Sequence, residues 1–518
     1  MIAICGLFLI SPEARAQRKH RKRESARPPA ATLNFAKRAD ALLGAEPASK
    51  GEWALLIADA ETGEALYEQN AAKHFVPASN LKLFTTALAL EKLGLEFRFH
   101  TTLESTGAIT PEGELTADLV LVGRGDPNLS NRKFPFNLKE EFDGPPEKIL
   151  EKLADALVAK GVKSLSGDVV GDDSYFPHEG YPSGWEVDDM VWEYGAAISA
   201  LVVNDNTATL TLTPGPMAGD EVQATVSPPT LDFAVDNGVL TSLANAKADL
   251  TLRREPGAHL VVVRGTLPAG SGPRKLVLAI EEPALHAATL LRALLEERGV
   301  RIGGGVRARH EVVAVEATSA PRVLAEHVSI PLRDAVKLVN KISQNLHTEV
   351  LLRAAMRQTG TWTAPEDLMK FAADFYAQAG IAPEEVIQTD GSGLSRHDLV
   401  TPRAIVSLLR YAQTRPWFES FYASLPVAGV DGTLEERMKN TPAAGRVHAK
   451  TGSVDHVRTM SGFADTSGGR RLEFSFLTNN QAGKNHEATD ALTALCVAML
   501  EEFNAVPSKR SREHKQPR

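Results

Sequence analysis

The sequence predicts an α/β chain of the α+β kind. One domain built on an antiparallel sheet flanked by helices is split by a large inserted module of two smaller domains. Three observations predict it. Helix and strand periodicities that occupy 33–96 return over 326–505. Two similar strand–helix–strand patterns lie between them, at 118–171 and 275–310. These bracket 191–267, where short alternating apolar runs are broken by Gly, Pro and Asn. The outer domain is therefore placed at 33–96 and 326–505, the first inserted domain at 97–190 and 268–325, and a nested β-rich domain at 191–267.

In order, 33–43 reads as a short amphipathic helix, 53–59 as a strand, 61–64 as a turn and 65–67 as the start of a return strand. Leu81, Phe84, Leu88 and Leu93 then recur at helical spacing up to a stop at Gly94. In the first inserted domain, 118–122 and 167–171 are strands around a helix at 149–160, and 275–280, 284–298 and the strand before His310 repeat the plan. Strands are expected at 198–203 and 207–213 around the turn Asn204-Asp205-Asn206. After 330, Leu332, Val336 and Val339 share a helix face, a break falls at 341–345, and a second helix runs over 346–358. The stretch 360–367 caps a further helix, 427–433 is a Gly-rich loop, 446–452 a strand, 460–478 a hairpin, and 487–503 a closing helix.

At 518 residues, 43% apolar and 24% charged, the chain is long enough for two or three globular domains. No apolar run reaches the roughly 18 residues of a membrane span. The net charge is −8, yet 15–27 and 509–518 carry +6 and +4, so the body between them is near −18. An acidic body argues against nucleic acid as a partner; the basic linker (17–32) and tail (506–518) read as solvated and disordered, with at most peripheral membrane contact. Residues 1–16, an apolar IAICGLFLI followed by Ala14-Arg15-Ala16, read as a signal peptide without the usual basic start, hence export. The two cysteines do not decide the compartment: Cys5 lies in this leader and Cys496 in the last helix. The 14 histidines form no zinc-binding spacing, so no metal and no cofactor is expected.

The chemistry centres on Ser79 and Lys82, one helical turn apart at a helix start. A desolvated lysine can lose its charge and take the serine proton. Helix-terminal N–H groups lie where an oxyanion would form. Ser343-Gln344-Asn345 sits at the helix–helix break, where alternate side chains can share a cleft; on its own Ser343 would read as a helix cap. Lys450-Thr451-Gly452 ends a strand, and Gly452 permits close backbone approach.

The order S-x-x-K, S-x-N, K-T-G is that of penicillin-binding proteins and serine β-lactamases. With PASNLKLFTTALAL, LVGRGDPNLS, GDDSYF, YGAAISALVVNDN, QTDGSGLSRHDLVTP, LPVAGVDGTLEER and GRVHAKTGSVDHVRTMSGFAD, the chain resembles the D-alanyl-D-alanine carboxypeptidase/endopeptidase family from about Leu33 to Phe503. These are class C low-molecular-mass penicillin-binding proteins, peptidase family S13. The resemblance implies a β-lactamase/transpeptidase-like catalytic domain, the insertion between the first two motifs, peptidoglycan stem peptides and crosslinks as substrates, β-lactam inhibition and a periplasmic location. It also implies an acyl-enzyme on Ser79, Lys82 as base, Ser343 and Lys450 passing a proton to the leaving amine, and Asn345 orienting Lys82 and the substrate. Lys450 and Thr451 would bind the terminal carboxylate, and the N–H groups of Ser79 and of Ser453, next to Gly452, would form the oxyanion hole. A pocket for the peptide's diaminopimelate end would pair an acidic residue of the insertion, matched to Asp172 or Asp173, with Arg396. A serine β-lactamase or esterase on the same fold is the competing reading, and a silent wall-binding protein the reading from another class. The residues serve carboxypeptidase and endopeptidase chemistry alike, and leave the oligomeric state open.

Overall fold

The computed structural model describes residues 30–133, 142–230, 232–311, 320–360, 367–482 and 485–504. The leader (1–16), most of the basic linker, the cap at 361–366 and the tail (506–518) lie outside them. The linker's last residues are already helical, in Ala30–Leu43.

The outer domain is organised on a five-stranded antiparallel sheet. Its order is Val447–Val454, Val457–Asp465, Arg471–Asn479, Glu52–Asp59 and Ala65–Gln69. Two of its strands come from the chain's beginning and three from its end, and the two groups meet where Glu52–Asp59 pairs with the central strand Arg471–Asn479, with Leu56 opposite Ser475. Period-two alternation sorts the side chains: Leu55, Ile57, Phe474 and Phe476 pack under the helices Ala30–Leu43 and Asn485–Glu502. Cys496 is buried in that layer, against Met460. On the other face, Ala54, Phe463 and Leu477 meet the helices Lys82–Leu93, Leu332–Lys341, Asn345–Gln358 and Pro402–Gln413.

The insertion is built on a mixed five-stranded sheet ordered Val306–Arg309, Val169–Asp172, Leu119–Val122, His100–Ser105 and Arg322–Val328, with Lys148–Ala159 and Pro283–Glu297 in its core layer. Its first three strands are parallel. The nested part has two three-stranded sheets around one core.

Two expectations fail. The strand expected at 275–280 forms, as Arg274–Ala279, but pairs with Thr207–Thr213 in the nested part instead of opening a second unit of the mixed sheet. The β-rich part thus extends past 267. Residues 198–203 are buried but form no strand: their backbone is tied to other segments, Ile198 N to Gly180 O and Ala200 O to Gly125 N. Burial of a threaded segment gives the same apolar pattern as burial of a strand. Just beyond, Asn204, Asp205 and Asn206 all adopt positive φ, a conformation Asn and Asp tolerate best. The Asp205 carboxylate meets Ser130 and Arg132 of the insertion, and His347 of the outer-domain helix Asn345–Gln358. Despite full burial, which alone would raise it, the Arg132 charge and the hydrogen bonds from His347 and Ser130 hold it well below the usual carboxylate range, so it pins the insertion to the outer domain.

Candidate active site

Ser79 sits in a tight turn, Ala78–Leu81, that runs into the helix Lys82–Leu93. The turn is clamped to the sheet: Thr459 Oγ1 donates to Pro77 O (2.9 Å) and Asn80 Nδ2 to Ser461 Oγ (2.8 Å). Ala78 takes φ +46° to present the serine, a strained value for a residue with a Cβ.

Lys82 is fully buried one turn on, its Nζ 2.8 Å from Ser79 Oγ, 2.6 Å from Asn345 Oδ1 and 2.7 Å from the Ser392 carbonyl. The last two atoms can only accept. A neutral amine therefore gives its two N–H bonds to them and turns its lone pair to the serine hydroxyl. Desolvation brings Lys82 down to about 7, against the pull of Asp390, Glu349 and Asp398. The same geometry fixes Asn345, whose amide donates to Tyr194 O of the insertion (2.8 Å).

Ser343 lies between the helices Leu332–Lys341 and Asn345–Gln358 with φ +63°. It is not the helix cap: Gln344 takes that place, its side chain accepting from His347 N. Ser343 Oγ is left 2.8 Å from Lys450 Nζ, which also donates to Thr451 O (2.7 Å). Lys450 is completely buried, and desolvation, with the charge of Lys82, pushes it well below the ordinary lysine value. Thr451 Oγ1 is hydrogen-bonded to Thr433 Oγ1 (2.7 Å), from the loop held by the Lys341–Asp431 ion pair.

The strand Val447–Val454 is the sheet edge beside Ser79. Ala449 N points off that edge, to Pro426 O, so by alternation Ser453 N also points outward, into the cleft. A Cβ at Gly452 would lie 3.0 Å from Ser79 N and 2.9 Å from Pro77 O. Gly452→Ala is therefore expected to push the strand off the nucleophile turn and slow acylation of Ser79 at least tenfold, measured as the second-order rate with a labelled penicillin.

The cleft above Ser79 encloses about 380 Å³ and is lined by Ser343, Asn345, Ser453 and Arg396, and from the insertion by Glu186, Asp188, Asp189 and Tyr194. Arg396 is thus in the site. Its guanidinium contacts Glu186 (3.1 Å) and Asp455 O (2.8 Å). Asp172 is not among the lining residues. It ends the strand Val169–Asp172, pairs with Arg309 (3.0 Å) and caps Ser174, and Asp173 is bound to Ser199 and His310. The acidic residues that the insertion brings to Arg396 are those of 186–189, some fifteen positions further on. Burial raises Asp189, although the Tyr194 phenol beside it favours the carboxylate.

Sequence reasoning also missed the buried acids under the floor. Glu349 accepts from the N–H groups of Gly391 and Ser392 and pairs with Arg353; burial, with the nearby charge of Asp390, raises it to about 7. Asp390 accepts from Trp185 Nε1 of the insertion and from the N–H groups of Gly393, Leu394 and Ser395. Glu349 and Arg353 at i and i+4 in an apolar helix were the available signal. In sum, the arrangement can activate a hydroxyl, stabilise an oxyanion and deliver a proton to a leaving group.

The sequence profile of the D-Ala-D-Ala carboxypeptidase 3 (S13) family matches residues 36–499. The chain is 34% identical over 459 residues to the D-alanyl-D-alanine carboxypeptidase of Actinomadura sp. (strain R39), covering 86% of this chain and 80% of that one. It is 28% identical over 422 residues to the D-alanyl-D-alanine carboxypeptidase DacB of Haemophilus influenzae, covering 79% and 81%. The crystal structure of penicillin binding protein 4 from H. influenzae superposes with a TM-score of 0.77 at 24% identity, over 90% of this chain and 99% of that one.

Proposed function

This chain belongs to the D-Ala-D-Ala carboxypeptidase (S13) family and is a serine-type DD-peptidase; from that premise we propose how its residues divide the work. Ser79 Oγ attacks the carbonyl carbon of a D-Ala–D-Ala bond or a D-configured crosslink while neutral Lys82 takes its proton. The oxyanion is received by Ser79 N–H and Ser453 N–H. The Ser343 hydroxyl, resupplied through Lys450, protonates the leaving amine. Thr451 and Lys450 hold the terminal carboxylate. Water then releases the acyl group. A β-lactam enters by the same attack and leaves slowly. The observation that carries this reading is the placement of Lys82 Nζ within 2.8 Å of Ser79 Oγ and of two pure acceptors, so that the neutral amine has only its lone pair left for the serine.

The insertion serves the same reaction by holding the polymer. Its acids Asp188 and Asp189, opposite Arg396, match an amine and a carboxylate at the end of a diaminopimelate side chain, in the place first expected for Asp172. Arg396→Ala is expected to raise KM about tenfold for a peptide bearing that free end. It should leave KM for a peptide lacking the end, and penicillin acylation, within twofold; steady-state kinetics on the peptide pair measures it.

A peptidoglycan substrate supports a location outside the cytoplasmic membrane, which we read as the periplasm, with 1–16 as the signal peptide. No helix among the described residues is long and apolar enough to cross a membrane. The deciding experiment labels the purified protein with a reporter penicillin and maps the label. Stable label on Ser79, absent in Ser79→Ala, is the expected result. Rapid release of hydrolysed drug would favour a β-lactamase, and absence of label on the folded protein would overturn the assignment.

A further inference from the structure

The sequence gives no metal spacing, yet the fold gathers Asp173, His178 and His310, each offering one donor atom within 4.8 Å of the others. We infer that these three residues bind a divalent transition-metal ion of the zinc type, at a site on the insertion separate from the catalytic cleft.

Asp173 Oδ1 and His310 Nδ1 lie 2.9 Å apart. Two ligands of a tetrahedral zinc, each at about 2.0–2.1 Å, stand roughly 3.3 Å apart. A small opening of this pair therefore lets an ion take the place of the proton between them. His310 would then bind as a neutral imidazole that carries its hydrogen on Nε2. The His178 ring, 4.2 Å from that of His310 by centroids, supplies the third donor from the exposed side, and water can fill the fourth position. Two imidazoles among three donors favour zinc, nickel or copper over magnesium or calcium, which demand oxygen.

The outer partners of such a site are also present. Ser199 Oγ donates to Asp173 Oδ2 at 2.7 Å and fixes the carboxylate. Glu282 Oε2 stands 3.4 Å from His310 Nε2, the nitrogen that must keep its hydrogen when Nδ1 binds metal. A plain ion pair between Asp173 and His310 would require neither His178 nor a carboxylate on the far ring nitrogen. The ion would fasten the 173–178 turn next to Glu179, whose carboxylate pairs with Arg353. Arg353 in turn holds Glu349 beneath the catalytic floor.

The test uses the full chain, stripped with a chelator and titrated with Zn²⁺ against a chromophoric competitor, then with Co²⁺. One equivalent is expected, with a Co²⁺ visible band. His178→Ala and His310→Ala should each weaken binding at least tenfold and abolish the band, while penicillin labelling of Ser79 persists. His178→Ala, on an exposed ring, decides the matter if His310→Ala fails to fold. Binding with the same affinity and stoichiometry in His178→Ala, or no binding to the stripped wild type, would overturn the site.

Discussion

Lys82→Met is expected to slow acylation of Ser79 by about 10²–10⁴-fold, the span typical of a lost general base. Methionine keeps the length of the side chain, so the loss is chemical and not a collapse of the floor. Lys82→Arg should fail equally, because a guanidinium holds its proton at any working pH. That outcome separates a base from a mere positive charge. The pH profile of the wild type gives a second check. Lys82 titrates near 7, and only its neutral form can accept a proton. The acylation rate should therefore rise with pH through about 7 and flatten above it, and this limb should be absent from both variants. Stopped-flow acylation with a chromogenic β-lactam measures all three. A wild-type profile flat from pH 5 to 9 would remove Lys82 from the role.

Asp390→Ala should be as damaging by a different route. The Asp390 carboxylate accepts from Trp185 Nε1, Ser392 Oγ and three backbone N–H groups, all buried. Each buried donor left unpaired costs about 1–3 kcal/mol, and the losses are not fully additive. A fall in unfolding free energy of about 3 kcal/mol or more is expected, read from the denaturant midpoint. The same loop carries the Ser392 carbonyl that takes one hydrogen of Lys82, so acylation should fall with stability. Asp390→Asn is the finer probe. It keeps an acceptor but removes a charge that holds Lys82 up, so Lys82 should drop further and the acid limb of the profile move below 7. A limb that stays in place would show that Asp390 acts on the loop alone.

These two residues also mark what the sequence could and could not reveal. Lys82 is tied to Ser79 by helical spacing, which is local, and Ser343, Asn345 and Lys450 each sit in a three-residue pattern whose order is informative. The structure brings all of them within hydrogen-bond reach of one another in two groups. Asp390 lay inside a quoted stretch, DGSGLSR, yet its role depends on Trp185, 205 positions away, which no spacing announces. The acidic side of the outer pocket was misplaced for a similar reason. Asp172 ends a strand and Asp189 lies among the turns that follow it, and only the path of the chain between them decides which one faces Arg396. The strand Arg274–Ala279 was legible as a strand, but its sheet is a choice between partners at long range. Residues 198–203 show the converse: apolar alternation and β-branching describe a buried, extended path without requiring a ladder.

The sheet order has a consequence for how the protein is made. Its strand Glu52–Asp59 pairs with the central strand Arg471–Asn479, and the Asp59–Arg470 ion pair beside them spans 411 positions. The catalytic sheet cannot close until nearly the whole chain has been synthesised, whereas the insertion contains all the strands of its own sheets. Its two ends lie side by side, Phe97 O accepting from Leu332 N and Phe99 O from Ser329 N. A prefolded insertion therefore shortens the open loop to about 180 residues, a gain of only about 0.7 kcal/mol in closure entropy. The larger effect is on order: the insertion can mature first and deliver the nucleophile turn and the Ser343 junction to each other. The peptidase then becomes active as a last event of biogenesis, after its C-terminal strands arrive. A nascent or truncated chain without Val447–Val454 lacks Lys450 and so has no complete site.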